Sequence, residues 1–348
     1  MTDLGTLGGT ESYAWGINES GQVVGWSYIP GNTVYRAVRW TGTTAENLGS
    51  LGNASTTDFA MGINNSGQVT GSSSLSGSTF PYHAVRWTGT TPTDLTPASI
   101  YSNGEAIKES GQIAGWNYLS NGGPYHAVRW TGTTGTDLGT LAGGTLSRGL
   151  GINNSGQVTG WSNLASGTHA VRWTGITAQD LGTLGGNTSR GLSINDTGWV
   201  AGWSYLSNGL DYHATLWTGA TPQDIGTLGG RLSQASDINA SGDMVGWSFT
   251  LGSETPAAFI FTGGTMYNLN SLILPGSGFT GLGSQLGGDG TSINNLGQIA
   301  TTGLIGGQIH AVLLTPISAP VPEPSTALVG AVAIGAVLFR ILRRGRQT

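Results

Sequence analysis

The chain has 348 residues with 61 Gly, 12 Pro and no Cys, and only 9% of them are charged. Glycine does not recur at every third position, which excludes a collagen helix, and without cysteine neither disulfides nor thiolate metal sites can form. Four of the thirteen bases fall in the last nine residues, so the body before Val321 carries nine bases against seventeen acids; such a body repels phosphate backbones and argues against a nucleic-acid partner.

In chain order, the first strand-like run is Asp3–Leu7 (run d). It is followed by a run ending at Ile17 (a), the QVVGWS run (b) and a run closing on Trp40 (c). The set then repeats. Its first element starts again at Asn47, Asp94, Asp137, Asp180, Asp224 and, degenerately, Asn268, at intervals of 44, 47, 43, 43, 44 and 44 residues. Between a and b stands Asn-x-x-Gly, as in Asn18-Glu19-Ser20-Gly21, the signature of a type I turn with a glycine bulge. Four short strands in about 44 residues, with no helical periodicity before residue 327, predict an all-β fold, a seven-bladed β-propeller. The chain starts with a lone d and ends its repeats with a, b and c alone. Asp3–Leu7 is therefore expected to pair with His310–Leu314 and close the ring. An open solenoid would not need complementary ends.

Length varies only in the b–c and d–a joins, which share one face in an antiparallel blade, so binding loops are expected there. The last d-to-a spacing is 25 residues against 13 to 16 elsewhere. The excess, Pro275–Gly290, reads as a mobile loop draped over that face, with Phe279 as its only large side chain, or as a seal on the closing blade.

Candidate chemistry is mostly repeat-wide. All five histidines (His83, His126, His169, His213 and His310) hold one position at the start of c, which suits one structural hydrogen bond per blade better than a metal cluster. Arg39, Arg86, Arg129 and Arg172 each precede the first residue of d by eight, which suggests a cross-strand ion pair with Asp94, Asp137 or Asp180, or an Asx-type turn at the Asp. No phosphate loop, calcium loop or nucleophile elbow is present, so no cofactor, metal or catalytic residue is assigned. Tyr28, Tyr35, Tyr82, Tyr118, Tyr125, Tyr205 and Tyr212 flank the b–c joins and, with Phe279, are the candidate binding residues. A glycan-acting hydrolase or lyase would instead need non-repeated acids to converge, and the candidates are Asp58, Glu105, Asp211, Glu254 and Asp289.

Repeats fill residues 1–316. Residues 317–326 form a Pro-rich linker with Val321-Pro322-Glu323-Pro324, and residues 327–348 hold an apolar helix and an arginine-rich end. The span 327–342 would rise about 24 Å, short for a bilayer core of about 30 Å but tolerable if Arg340 snorkels. With Arg340, Arg343, Arg344 and Arg346 held cytoplasmic, the repeats face outwards. Motif, span and arginine cluster in that order resemble the PEP-CTERM sorting signal of Gram-negative bacteria. The resemblance implies recognition and removal of the tail by an exosortase-type transpeptidase, then display at the cell surface with exopolysaccharide. The body, with DLGTLGG, INNSGQV and HAVRW, resembles the HAF-repeat family of extracellular proteins, for which no activity is implied. Export implies a secretory leader; Met1-Thr2-Asp3 runs directly into d, so either the reading frame starts upstream or the chain is a fragment. The function expected is a non-enzymatic surface-binding or matrix-associated module, its partner a surface polysaccharide or protein.

Overall fold

The computed structural model describes residues 1–53, 55–75, 82–99, 101–120, 123–253, 255–273, 279–282 and 290–317. These residues are strands and turns, with one short 3-10 turn at Leu269–Leu272. After β1 (Thr2–Asp3) come three separate antiparallel meanders. They are β2 (Ser12–Ile17), β3 (Val23–Tyr28), β4 (Tyr35–Thr41) and β5 (Thr44–Asn47); β6 (Asp58–Ile63), β7 (Val69–Ser74), β8 (Tyr82–Thr88) and β9 (Thr91–Asp94); and β10 (Ser102–Ile107), β11 (Ile113–Tyr118), β12 (Tyr125–Thr131) and β13 (Thr134–Asp137). A twelve-stranded sheet follows. It comprises β14 (Ser147–Ile152), β15 (Val158–Leu164), β16 (Gly167–Thr174) and β17 (Thr177–Asp180), then β18 (Gly185–Ile194), β19 (Val200–Leu206), β20 (Tyr212–Trp217) and β21 (Pro222–Asp224), then β22 (Gly229–Ile238), β23 (Met244–Thr250), β24 (Pro256–Thr262) and β25 (Thr265–Asn268). Only two parallel bridges, Thr168 to Thr188 and Tyr212 to Leu232, join these three runs. The last sheet holds β26 (Phe279–Leu282), β27 (Ser292–Ile293), β28 (Ile299–Ile305) and β29 (Gln308–Leu314), and β1 pairs with β29 through Thr2 to Leu313 and Asp3 to Val312.

The first strand of each run touches the first strand of the next, and β27 touches both β22 and β2. Together they surround a channel lined by the same stretch of every repeat, the arrangement of a β-propeller. Most of these strands carry a bulge two residues before the closing Ile, between Ala14 and Gly16 or Gly149 and Gly151 for instance. The bulge turns the backbone towards the channel, where neighbours crowd: a Cβ on Gly16 would stand 2.9 Å from the Met61 carbonyl oxygen.

The a–b turns form as read. Gly21 donates its N–H to the Asn18 carbonyl at 3.0 Å and sits at φ 74°, which only glycine adopts freely. The side chain of Asn18 then serves two turns. Its Oδ1 accepts the N–H groups of Ser20 and Gln22, while its Nδ2 donates to the Asn64 carbonyl of the next repeat at 3.1 Å. The same link runs from Asn64 to Lys108, Asn153 to Asn195, Asn195 to Asn239 and Asn239 to Asn294, and Asn294 donates back to the Asn18 carbonyl at 3.0 Å. Lys108 replaces asparagine once, and its Nζ donates to the Asn154 carbonyl instead.

Apolar cores lie between repeats rather than inside them. Among the described residues seven clusters are found, each drawing on two successive repeats; one, with Leu4, Ala300 and Ala311 beside Ala14, Val38 and Trp40, joins the last sheet to the first meander. Trp40, Trp87, Trp130, Trp173 and Trp217 are at most 1% exposed. Each such ring buries about 150–250 Å², which at roughly 25 cal/mol per Å² stabilises by about 4–6 kcal/mol before entropy is counted.

Two expectations need correction. Run d is not a strand from its Asp onward. The outer strands end at that residue, as in β9 and β17, and Leu-Gly-Thr-Leu forms the connection, because the Asp carboxylate accepts the N–H two residues on (Gly139 to Asp137, 2.8 Å). Within the insertion, the described Phe279–Leu282 take the sealing place instead of forming a free loop. Phe279 and Leu282 pair with Ile305 and Gly303, filling the half of the inner strand that β27 leaves empty. Leu282 is fully buried among Val245, Ile260, Leu269, Ile293, Ile299 and Val312, with Phe279 packed beside it. Residues 274–278 and 283–289 lie outside the described residues. The sealing role predicts that Leu282→Ala lowers unfolding stability by about 2–5 kcal/mol, as a large-to-small change in a packed core does. Chemical denaturation of parent and variant measures it.

Candidate functional site

Each histidine of run c reaches the Asp that ends the following outer strand. Nδ1 of His83, His126, His169 and His213 lies 2.8 to 2.9 Å from Asp94, Asp137, Asp180 and Asp224, and His310 lies 3.0 Å from Asp3. The expected arginine–aspartate pairs are not formed. Register places Thr93 opposite Arg86 and Val85 opposite Asp94, so Arg and Asp project from opposite faces, whereas His83 shares the Asp94 face two residues on. The arginines reach the next repeat: Arg129 and Arg172 donate to the carbonyls of Gly156 and Gly198. The first serine of β2, β10, β14, β18 and β22 bolts repeats together; Ser147 accepts the Ala127 N–H and donates to the Gly139 carbonyl. These groups are spent on structure, and no cluster of three metal-ligating side chains occurs among the described residues.

One junction is rewired. Arg36 stands in the histidine position, Asn47 in the aspartate position and Asp58 in the serine position. Arg36 meets Asp58 at 2.8 Å, with side chains 8% and 0% exposed, and also donates to the Thr56 carbonyl. Asp58 Oδ1 takes further bonds from Ser50 and Ser73. Asp58→Ser alone would strand a buried guanidinium, an effect of about 3–5 kcal/mol. The triple change Arg36→His, Asn47→Asp, Asp58→Ser recreates the common junction and is expected to recover most of that loss in thermal unfolding.

The tyrosines assemble on the face of the b–c and d–a joins. Tyr28 faces Tyr35, Tyr118 faces Tyr125 and Tyr205 faces Tyr212 across their strand pairs, with centroids 5.4 to 5.7 Å apart. Each pair leans on a tryptophan of run b, Trp26, Trp116 or Trp203. These pairs fall in the first, third and fifth repeats, so they alternate around the ring. All six rings are half-buried, whereas Tyr82 is buried and bonded to the Thr57 hydroxyl at 2.8 Å. Burial, with the neighbouring Tyr82, pushes the Tyr35 hydroxyl up to about 12, so it stays a donor at neutral pH. Phe279 does not join this collar, being committed to the last sheet. Sequence reasoning missed the residues between the pairs. Tyr13 stacks on Trp26 at 4.1 Å, and Tyr35, Phe59, Tyr82 and Tyr101 continue towards Trp116. Arg148 lies over Trp116 and Tyr125, and Arg190 over Trp161 and Trp203. Their signal was the second position of run a, which reads Tyr, Phe, Asn, Arg, Arg and Gln in six successive repeats, while the residue after it is always Ala or Gly.

The candidate acids do not converge. Asp58 is consumed by Arg36, and Asp211 holds Arg231 and Asn208 at the rim. Glu254 and Asp289 lie outside the described residues. Glu105 lines the channel, where burial pushes its carboxyl up despite bonds from Trp116 and Asn103. A second acid there, Asp237, was not anticipated. Burial raises it too, but its oxygens accept Ser193 Oγ and the N–H groups of Ile238 and Ile293, so it ties three repeats together. The two stand on the third and sixth inner strands, across a channel of about 220 Å³, below the range of about 300–1,000 Å³ usual for ligand pockets.

Val321 to Pro324, the span 327–342 and Arg340, Arg343, Arg344 and Arg346 lie outside the described residues, among which no helix is long and apolar enough to cross a membrane. No protein-family model and no curated protein matches the chain. Solved structures similar to it include TolB from Acinetobacter baumannii (10% identity, TM-score 0.46, covering 67% of this chain and 60% of that one). The β-propeller domain of the Trilobed protease from Pyrococcus furiosus also has 10% identity and a TM-score of 0.46, with 90% and 86% covered. Acylaminoacyl peptidase from Pyrococcus horikoshii has 11% identity and a TM-score of 0.35, with 87% and 44% covered. At such identities no function passes from these proteins to this chain.

Proposed function

We propose that the chain is a seven-bladed propeller closed by its first strand, and that it acts as a non-enzymatic binding module for surface polysaccharide. The observation that carries the binding role is the collar of half-buried tyrosine pairs, Tyr28 with Tyr35, Tyr118 with Tyr125 and Tyr205 with Tyr212, on the face where join lengths vary. Aromatic rings offer flat apolar faces to the C–H surface of a sugar while their hydroxyls bond to its rim. The alternation of pairs suits a repeating chain better than a compact ligand. Support for the blade count comes from the seven inter-repeat cores and from the Asn294 to Asn18 link.

The same proposal includes the tail. Val321-Pro322-Glu323-Pro324, the apolar span 327–342 and the arginine cluster would hold an exported precursor in the inner membrane of a Gram-negative cell. An exosortase-type transpeptidase would then trim it and release the propeller to the surface or matrix. Against catalysis stand the narrow channel and the structural bonds of its acids. The test is affinity electrophoresis of the purified chain on polysaccharide gels. Replacing both tyrosines of one pair by alanine is expected to weaken retardation about threefold to tenfold with the circular dichroism spectrum retained. Unchanged retardation after removal of all three pairs would contradict the reading.

A further inference from the structure

Within the collar Arg148 lies over three rings, more than any other arginine among the described residues. Arg148 projects from the second position of β14, and its guanidinium carbon lies 4.2 Å from the Trp116 ring centre, 4.9 Å from Tyr125 and 5.8 Å from Trp161. Trp161 in turn faces Arg190 at 5.1 Å, so rings and cations alternate across three repeats. Rings hold a guanidinium flat by cation–π attraction but satisfy none of its N–H groups. Among the described residues Arg148 has no carboxylate within 4 Å, and its Nε is buried with no partner. Other arginines are spent: Arg36 on Asp58, Arg39 on Glu46, Arg231 on Asp211. Among the described residues Arg86 has no ring contact, and Arg190 lies over two rings, Trp161 and Trp203, at 5.1 and 5.4 Å, farther than Arg148 stands from Trp116. Glu105 sits beyond ion-pair range, and its Oε1 accepts from Trp116 Nε1 and Asn103 Nδ2.

We propose that Arg148 is the anion subsite of the polysaccharide-binding face, its planar fork taking the carboxylate of a uronic-acid residue whose ring stacks on the half-buried Tyr118–Tyr125 pair beside it. This inference rests on the glycan-binding reading above and narrows it to acidic glycans. A guanidinium matches a carboxylate through two parallel N–H bonds, which an ammonium cannot reproduce. The acid-rich body gives no long-range attraction for such a ligand, so recognition must come from this local fork and its rings.

The test is isothermal titration of the purified chain with galacturonate, glucuronate and mannuronate oligomers and their neutral counterparts of equal length. At least one acidic oligomer should bind more tightly than its neutral counterpart. Arg148→Gln should weaken that binding about 10- to 100-fold and leave neutral binding unchanged, as loss of a charge-assisted bond predicts. Arg148→Lys, which keeps the charge and the stem, should recover only part of the affinity. Folding of both variants is checked by near-ultraviolet circular dichroism. Neutral binding with no acidic preference, or acidic binding indifferent to Arg148→Gln, would overturn the subsite while leaving the glycan reading in place. Binding of neither class would overturn both.

Discussion

Everything else in this molecule depends on one small interaction, the asparagine side chain that caps its own turn and donates to the backbone of the next. An amide has an acceptor and a donor end, so a single residue can hold the a–b hairpin and set the distance to its neighbour. Glutamine would place the amide one bond further out, and aspartate would lose the donor. The repeat therefore keeps Asn-x-x-Gly almost without change, and where Lys108 intervenes a different bond, from its Nζ to the Asn154 carbonyl, spans the same gap. Once neighbouring turns are fixed at this spacing, the inner strands stand close enough to demand small residues. The tryptophans of run c are then enclosed between successive repeats.

Much of the architecture was legible because each repeat states it again. Strand number, turn type, the antiparallel order and the pairing of the first strand with the last all followed from spacing. What misled was the phase of run d, since Asp-Leu-Gly-Thr-Leu has strand-like composition yet its Asp starts an Asx turn. The arginine–aspartate guess failed for a related reason. A count of eight residues ignores which face a side chain takes, and only the register shows that His83 rather than Arg86 shares the face of Asp94. The insertion looked mobile because glycine dominates it, but Phe279 and Leu282 supply the apolar contacts that a truncated β27 could not.

The two faces of the ring differ in how much their side chains vary between repeats. On the turn face, Asn, Glu and Gln side chains bond to one another and to backbone, leaving a uniform surface. On the other face, the second position of run a changes from tyrosine and phenylalanine through asparagine to arginine and glutamine around the ring, while the position after it stays Ala or Gly. Variation at this ring of positions on a rigid frame is what the proposed recognition of an extended ligand would use. The rewired Arg36–Asp58 junction shows the converse, variation absorbed by the frame itself: acid, base and amide move together and no charge is left alone.

Closure of the ring by the first strand is the claim on which the architecture stands, and the absence of native cysteine makes it directly measurable. Thr2 and Leu313 are register partners in antiparallel strands, a separation that a disulfide can span. With Thr2→Cys and Leu313→Cys together, the account predicts that mild oxidation gives a monomer with no free thiol and a raised unfolding midpoint. Thiols that stay reactive in the folded monomer, or that form only intermolecular bonds, would contradict it.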